Sequence, residues 1–303
     1  MRSRLIIPIN VKKFIVKAID RNADLIVLDL EDSIPSDQKL HARSLIPSAV
    51  KQLSMSTTPV YIRVNAENNL LYQDIQHAVI KGVTGIVLPK VDCEEQLKEI
   101  EHYITVLETK RNIKKGSFKI SILIETAKGM QHINNILQST DRIDTVSIGM
   151  EDLATNMGFM INEQTKNMLT LFWMQLLIAA RANNVLPMGT TGSISNYTDL
   201  ESYQKHAREA FELGFVGSSC IHPNQVALLN EAFHYNEDEI NEAKEIVNVF
   251  DEAIRQGRAS SSYNGKMIDY PHYEKHKNII TRNEDINKYE ELKKIERERT
   301  LHE

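Results

Sequence analysis

Eight short apolar runs recur along the first three quarters of the chain, and segments of helical spacing separate them. Each run has the length and the β-branched content of a buried strand. The runs cover residues 5–9, 25–30, 60–64, 85–88, 119–124, 144–148, 185–188 and 215–221. The segments between them predict helices over residues 11–21, 38–53, 71–81, 94–107, 129–138, 163–183 and 200–213. Pro47 should kink or split the second of these helices, because proline lacks the backbone N–H.

Eight strands that alternate with helices predict an α/β fold, the (β/α)8 TIM barrel, whose usual size is ~250 residues. We assign residues 1–223 to this barrel. An open doubly wound sheet is the alternative. It usually has fewer strands, and no G-x-G-x-x-G motif follows the first apolar run to support it.

Residues 224–303 are predicted to form a C-terminal helical extension. We expect a helix over residues 237–256, a mobile Gly/Ser-rich linker over 257–265, and helices again from residue 273 onward. The apolar patch Met267-Ile268-Asp269 lies between them and carries an acid. An extension joined through a flexible stretch is a candidate lid over an active site.

The composition is that of an ordinary soluble protein, and it excludes some partners. Of 303 residues, 42% are hydrophobic and 25% are charged, and the formal net charge is −5. A negative charge without a basic stripe argues against nucleic acid as a partner. Cys93 and Cys220 are too few for a disulfide framework and fit a reducing compartment. With no signal-peptide pattern and no membrane-spanning run, we expect a cytoplasmic protein without membrane contact.

Acidic residues follow two neighbouring strands of the expected barrel. Glu125 follows the fifth apolar run, and Glu151 and Asp152 follow the sixth. The carboxyl ends of barrel strands meet at one face, where barrel enzymes have their active sites. A carboxylate there is costly unless it is paired, hydrogen-bonded or bound to a metal. Glu125 and Asp152 are therefore candidate ligands of Mg²⁺, or Mn²⁺, which take oxygen ligands. Ion pairs with Arg or Lys, without a metal, are the alternative.

The second and third strands add charged residues to the same face. Asp29, Glu31 and Asp32 end the second strand, and Arg63 lies near the end of the third. Further carboxylates would repel one another without a cation, which favours the metal site. The position of Asp32 is equally consistent with a cap of a helix or turn and with a group near the metal. Arg63 has two interpretations: a structural ion pair with the second-strand acids, or a guanidinium that binds a substrate carboxylate or carbonyl.

Short motifs spread over residues 2–280 together resemble the citrate lyase β-subunit/malyl-CoA lyase group of the HpcH/HpaI aldolase superfamily. They are Arg2-Ser3-x-Leu5-x-x-Pro8, Leu28-Asp29-Leu30-Glu31-Asp32-Ser33, Arg63-x-Asn65, Leu88-Pro89-Lys90, Ile124-Glu125-Thr126-Ala127-x-Gly129, Gly149-x-Glu151-Asp152, Ile221-His222-Pro223-x-Gln225 and Gly265-Lys266-Met267-Ile268-Asp269. Two departures stand out. Ile9-Asn10-Val11 replaces the Gly-Asn-Arg that the family often has, and Asn196-Tyr197-Thr198-Asp199 replaces Asp-Phe-x-Asp.

The resemblance implies roles for the acids and the arginine. Glu125 and Asp152 would bind Mg²⁺, which also holds the keto acid. Glu31 and Asp32 would hold water molecules on the metal, and Arg63 would bind the keto acid and the oxygen on which charge develops.

The resemblance also implies contacts with the rest of the substrate. Lys17 matches a lysine that contacts coenzyme A, and Glu151 and Asn196 are further candidate substrate-binding residues. Asp269 would be the catalytic acid/base, and it would reach a neighbouring subunit of a homotrimer, or of a multiple of trimers. An N-cap of the helix that follows is the alternative role for Asp269.

The implied reaction is a retro-Claisen cleavage by a carbon–carbon lyase. A 3-hydroxy-acyl-CoA dicarboxylate of the citramalyl-CoA or malyl-CoA type would give a keto acid and acetyl-CoA. The alternatives are a citryl-thioester lyase, a class II pyruvate aldolase and a catalytically silent acyl-carrier-binding subunit. The segment with Asp269 speaks against the aldolase, and the set Arg63, Glu125 and Asp152 speaks against the silent subunit.

Overall fold

The computed structural model describes residues 1–162, 164–195 and 197–300, and the chain forms two compact units, Met1–Phe233 and His234–Glu303. The domain boundary expected after residue 223 falls one helix earlier than this division. In the described part of the chain, no helix is both long enough and apolar enough to cross a bilayer.

The first unit alternates strands and helices. Its strands are β1 (Ser3–Pro8), β2 (Leu25–Asp29), β3 (Val60–Arg63), β4 (Gly85–Leu88), β5 (Lys119–Ile124), β6 (Ile143–Ile148), β7 (Leu186–Pro187) and β8 (Ser218–Cys220). Its helices are α1 (Lys12–Ala18), α2 (Lys39–Ser44), α3 (Ile46–Leu53), α4 (Asn68–Ala78), α5 (Glu94–Lys110), α6 (Ala127–Gln138), α7 (Met150–Met157), α8 (Lys166–Ala182), α9 (Leu200–Leu213) and α10 (Pro223–Ala232).

The eight strands form one parallel sheet in the order β7-β6-β5-β4-β3-β2-β1-β8. Hydrogen bonds also link its two ends. Met188 and Gly217 form a parallel bridge, and the N–H of Val216 donates to the carbonyl of Pro187 at 3.0 Å. Because β7 thereby meets β8, the sheet curls round on itself. The predicted (β/α)8 TIM-barrel-like fold is confirmed, and the open sheet is excluded.

Local sequence explains where several helices begin and end. The expected helix over residues 38–53 is split at Leu45, and Pro47 occupies the first turn of α3, where its missing N–H costs nothing. Two short helices, α7 and α10, were not expected. As a consequence Glu151 and Asp152 lie in the first turn of α7, not on a strand end.

Apolar side chains from neighbouring strands pack inside the barrel. Leu25, Val27, Tyr61 and Val87 form a buried cluster, with Ile6 and Leu123 partly buried against it. The last two side chains retain some exposure because a cavity enters the barrel beside them. The barrel is therefore packed in its lower layers and open toward the carboxyl ends of its strands.

The second unit contains α11 (Glu237–Arg255), β9 (Ser260–Tyr263), β10 (Lys266–Asp269) and α12 (Tyr270–Thr300). The prediction of a mobile linker over residues 257–265 was wrong, because β9 and β10 pair as an antiparallel hairpin. Asn264 and Gly265 form its turn with φ of 47° and 76°, the left-handed backbone that Asn-Gly favours in two-residue hairpins. Ile268 packs on Ile246 and Phe250 of α11, which anchors the hairpin.

Candidate active site at the mouth of the barrel

A cavity of about 390 Å³ opens at the carboxyl ends of the strands. It brings together polar residues that are far apart in sequence. The charged groups in its wall include Arg63, Glu125, Glu151 and Asp152, and the segment 189–193 lines another side. This is the face of a barrel on which enzyme active sites lie.

Backbone groups fix Glu125 immediately after β5. Its side chain is 6% exposed, and Oε2 accepts a hydrogen bond from the N–H of Lys90 at 2.9 Å. Lys90 has φ of 52°, and this left-handed turn after β4 aims its N–H at the carboxylate. On the other side, the Thr126 hydroxyl accepts the N–H of Gly129 at 2.9 Å and caps α6. Glu125 therefore has little freedom to move.

Burial and charge make the ionised form of Glu125 unfavourable. Burial, together with the negative charge of Asp152, raises the pKa of Glu125 to about 7. Asp152 itself is exposed to the cavity from the first turn of α7. No basic side chain in the described ranges lies within 4.0 Å of either carboxylate. In the described ranges, Glu125 and Asp152 therefore do not form the direct ion pairs with Arg or Lys that were the alternative to a metal site.

Arg63 and Asp29 form a buried two-pronged pair. Nε of Arg63 donates to Asp29 Oδ1 at 2.6 Å, and Nη2 donates to Oδ2 at 2.7 Å. Asp29 also accepts from the N–H of Glu31 and from the Ser33 hydroxyl. Although burial alone would raise the pKa of Asp29, the hydrogen bonds from Arg63 and Ser33 hold it below its ordinary value. The ion pair with the second-strand acids, one of the two interpretations of Arg63, is present.

Glu31 and Asp32 complete the acidic rim. Nη1 of Arg63 donates to Asp32 at 3.0 Å and lies 3.4 Å from a carboxylate oxygen of Glu31. Burial raises the pKa of Glu31 to about 8 against the opposing attraction of Arg63, and the charges of the neighbouring acids raise it further. The rim thus carries more negative charge than its arginine balances.

The donor set at Glu125 fits a magnesium ion. Among the described residues, no three His, Cys, Asp or Glu side chains are grouped as a ready-made metal cage. Mg²⁺ usually takes one or two carboxylates and fills its other positions with water and substrate oxygens. A buried carboxylate whose pKa is raised by burial and by the charge of a second acid beside it meets this requirement.

Two of the expected substrate and catalytic residues, Lys17 and Asp269, are not among the residues that line the cavity. Lys17 lies on the exposed face of α1, and Asn196 is outside the described residues. Asp269 ends β10 in the second unit, where its Oδ1 is 2.5 Å from His272 Nδ1 and accepts the His272 N–H at 3.4 Å. The hydrogen bond from His272 lowers the pKa of Asp269. This contact has the form of the N-cap that was the alternative role.

Sequence reasoning missed several groups that shape the cavity. It did not anticipate the N–H of Lys90, the close contact of Gly149 with Glu125, or the buried Arg4 in the cavity wall. Pro89 before Lys90 was the available signal for a turn at the end of β4. Arg4 stands directly before the apolar run over residues 5–9, and nothing at that position signals a buried side chain.

An eight-stranded parallel barrel with an acid-lined cavity at the carboxyl ends of its strands defines an enzyme of the TIM-barrel class. The chain belongs to the HpcH/HpaI aldolase/citrate lyase family, whose model matches residues 2–223.

Curated relatives agree with this assignment, and a solved structure shares the fold. The chain is 31% identical over 268 residues to L-malyl-CoA/beta-methylmalyl-CoA lyase of Cereibacter sphaeroides, covering 82% of this chain and 83% of that one. It is 30% identical over 286 residues to citrate lyase subunit beta of Haemophilus influenzae, covering 93% and 96%. A structure of CitE from Mycobacterium tuberculosis with magnesium, acetoacetate and coenzyme A matches at a TM-score of 0.73 and 23% identity, covering 93% and 97%. The chain is thus an enzyme of this lyase family.

Proposed function

We propose that the chain is a Mg²⁺-dependent lyase that cleaves a 3-hydroxy-acyl-CoA dicarboxylate into a 2-oxo acid and acetyl-CoA. The observation that carries the proposal is the buried Glu125, which shares one cavity with Asp152 and with the guanidinium of Arg63. Relatives named malyl-CoA lyase and citrate lyase subunit beta support a thioester substrate. Mn²⁺ is the expected substitute for Mg²⁺ because it prefers the same ligands.

The reaction moves charge across the cavity. The substrate hydroxyl loses its proton, the neighbouring C–C bond breaks, and the electron pair passes to the thioester as an enolate. The enolate carbon then takes a proton to give acetyl-CoA. Mg²⁺, held by Glu125 and Asp152, would supply Lewis-acid stabilisation of oxygen charge. Glu31 and Asp32 would orient water around the ion from the adjoining rim.

Arg63 would bind and orient the 2-oxo acid. A guanidinium has five N–H donors, and Asp29 and Asp32 take three of those of Arg63. The remaining donors can reach a substrate carboxylate or carbonyl oxygen. Because Asp29 holds the guanidinium in a two-pronged contact, this cation is oriented before substrate arrives, as electrostatic catalysis requires.

Three further residues would contact coenzyme A or the rest of the substrate. Lys17 is an exposed cation suited to a phosphate of coenzyme A. Glu151 lines the cavity beside Asp152 and would contact the substrate there, and Asn196 follows the 189–193 segment in sequence.

Asp269 is proposed as the acid/base that protonates the enolate, acting on a neighbouring subunit of a homotrimer. Its side chain is partly exposed, so it is accessible to another copy of the chain. Self-association is supported by exposed apolar side chains on α8, where Leu171 is 68% and Ile178 is 66% exposed. The absence of a cysteine framework supports a cytoplasmic location.

The experiment that tests the function is product analysis with a panel of thioesters. Citramalyl-CoA, malyl-CoA, citryl-CoA and its homologue with one more methylene group, homocitryl-CoA, are incubated with the protein in Mg²⁺ or in EDTA, and the 2-oxo acid and acetyl-CoA are measured. We expect cleavage of at least one thioester, and only with the metal present. Equal cleavage in EDTA, or no cleavage of any member of the panel, would overturn the proposal.

A further inference from the structure

A buried cation lies in the wall of the same cavity, below the acids of its mouth. Arg4 on β1 is 2% exposed, and its guanidinium reaches serines on three other strands. Nε donates to Ser219 Oγ at 2.8 Å, Nη1 to Ser121 Oγ at 2.7 Å and Nη2 to Ser147 Oγ at 3.0 Å. These partners are all neutral, so they orient the charge without neutralising it.

No carboxylate forms a direct ion pair with Arg4. Within the described residues, none lies within 4.0 Å of its guanidinium. Asp144 attracts Arg4 but contacts it only through the hydroxyls of Thr145 and Ser121, and it accepts the Tyr61 hydroxyl. Burial lowers the pKa of Arg4 to about 10. A buried charge without an ionic partner is costly, and an anion in the cavity would remove that cost.

Two hydroxyl donors stand beside this cation. Ser147 and Ser219 each accept a hydrogen bond from Arg4, so their own protons point elsewhere. No described residue accepts a hydrogen bond from either hydroxyl, and both serines line the cavity together with Arg4. Three donor groups therefore face one end of the cavity. Donors arranged in this way can bind the two oxygens of a carboxylate.

An apolar layer separates these donors from Glu125. Ser147 pairs in register with Leu123 of β5, and Glu125 follows Leu123 by two residues, just after the strand ends. At about 3.3 Å per residue, the donors lie about 7 Å below the acid. A chain of about two methylene groups, with C–C bonds of about 1.5 Å, spans most of that distance. The apolar side chains that line the cavity at this level are Ile6, Val27, Val87 and Leu123.

We propose that Arg4, Ser147 and Ser219 form a subsite for a second carboxylate of the 2-oxo acid. The cleavage product is then a 2-oxo dicarboxylic acid whose two acid groups are separated by a short methylene chain. This inference rests on the proposed function, because it places the 2-oxo acid at Glu125. It makes Arg4 the residue that selects a dicarboxylic product over a monocarboxylic one.

Isothermal titration calorimetry with two five-carbon ligands tests the subsite. 2-Oxoglutarate and 2-oxovalerate differ by a terminal carboxylate in place of a methyl group. With Mg²⁺ present, we expect the wild-type protein to bind 2-oxoglutarate at least about tenfold more tightly, since a hydrogen bond to a charged group contributes that much. Arg4→Met should abolish this preference while leaving 2-oxovalerate affinity unchanged.

Two further variants keep the test decisive if Arg4→Met misfolds. Ser147→Ala removes one donor but keeps Arg4, and it should reduce the preference severalfold. Ser139→Ala is the matched control, because its hydroxyl binds the Ile136 carbonyl at the end of α6 and it does not line the cavity. If Arg4→Met does not fold, the comparison of Ser147→Ala with Ser139→Ala decides.

The outcomes separate this subsite from the lyase proposal. Equal affinity for both ligands, no binding of either, or a preference that survives both substitutions overturns the subsite. A protein that releases pyruvate from citramalyl-CoA but binds 2-oxoglutarate and 2-oxovalerate equally is a lyase without this subsite. A protein that prefers 2-oxoglutarate through Arg4 but cleaves no thioester keeps the subsite and refutes the lyase.

Discussion

Gly149 lies directly against the carboxylate of Glu125. A Cβ atom added to Gly149 would be 2.3 Å from Glu125 Oε1, well inside van der Waals contact. The N–H of Gly149 also donates to the carbonyl of Ile124 at 3.1 Å, so the backbone cannot easily retreat. The turn between β6 and α7 therefore touches the proposed metal ligand, and only glycine leaves room for it.

Gly149→Ala should displace Glu125 and weaken Mg²⁺ binding by about tenfold or more, the usual scale for groups that orient a ligand. Calorimetric titration with Mg²⁺ measures this change. Gly116→Ala is the control, because Gly116 has φ of 80° and open space around it, so alanine there strains the backbone away from the cavity. Equal Mg²⁺ affinity in the two variants would contradict the contact's role.

Glu125→Gln should reduce turnover by at least about 100-fold and weaken Mg²⁺ binding, because it removes a charged ligand with little change in shape. The amide oxygen can still accept the Lys90 N–H, so the melting temperature should hold. Glu99→Gln is the matched control, since Glu99 accepts the Tyr72 hydroxyl on the exposed face of α5 and does not line the cavity. Wild-type metal dependence in Glu125→Gln would show that the metal lies elsewhere.

Glu31 should make the metal-free protein less stable as the pH rises. Its pKa is about 8 in the folded protein and near 4.5 when unfolded, so the folded state binds more protons between these values. Stability is then fully present below pH 4.5 and falls up to about pH 8. Thermal melts in EDTA from pH 5 to 9 measure this slope. Glu31→Gln should flatten it, whereas Asp37→Asn, at an exposed position that does not act on Glu31, should leave it unchanged.

Asp269→Asn separates a helix cap from a proton donor. Asparagine can still accept the His272 N–H, but it cannot exchange a proton. A catalytic role predicts a loss of about 10²- to 10⁴-fold in turnover. Asp251→Asn, an acid of the same unit that binds the Tyr273 hydroxyl, is the control. Near-normal turnover of Asp269→Asn would leave only the cap.

Mixed oligomers test whether Asp269 acts on another subunit. Asp269→Asn and Glu125→Gln subunits are each inactive by expectation, but a mixed assembly pairs an intact acid with an intact metal site. Recovery of part of the wild-type turnover is the expected result. Verified mixed assemblies without recovery would mean that Asp269 serves its own barrel, and a monomeric active protein would exclude the trimer.

The barrel was predictable because its information is local. Runs such as residues 119–124 combine β-branched composition with strand length, and Pro47 marked the break between α2 and α3. The hairpin of the second unit was missed although Asn264-Gly265 is a strong turn signal, because the serines of β9 look like a linker. Serine-rich strands pair through their backbone, which composition does not reveal.

The site was predictable only as a set of strand-end acids. Glu125, Asp152 and Arg63 follow from their positions after apolar runs, and the structure brings them to one cavity. The contact between Arg4 and Ser147 could not be predicted, because it joins two strands across the barrel interior. Such contacts depend on side-chain reach and on barrel register, and neither is encoded in local periodicity.

Strand β1 has consequences for how the protein is made. It pairs with β2 on one side and with β8 on the other, and Arg4 and Ser219, 215 residues apart in the chain, share that second ladder. During translation, more than two hundred further residues are synthesised before β8, the partner of one edge of β1, leaves the ribosome. At about 5–20 residues per second this interval lasts about ten seconds or more. The unpaired edge is exposed throughout, so chaperone binding during synthesis should concentrate on this strand.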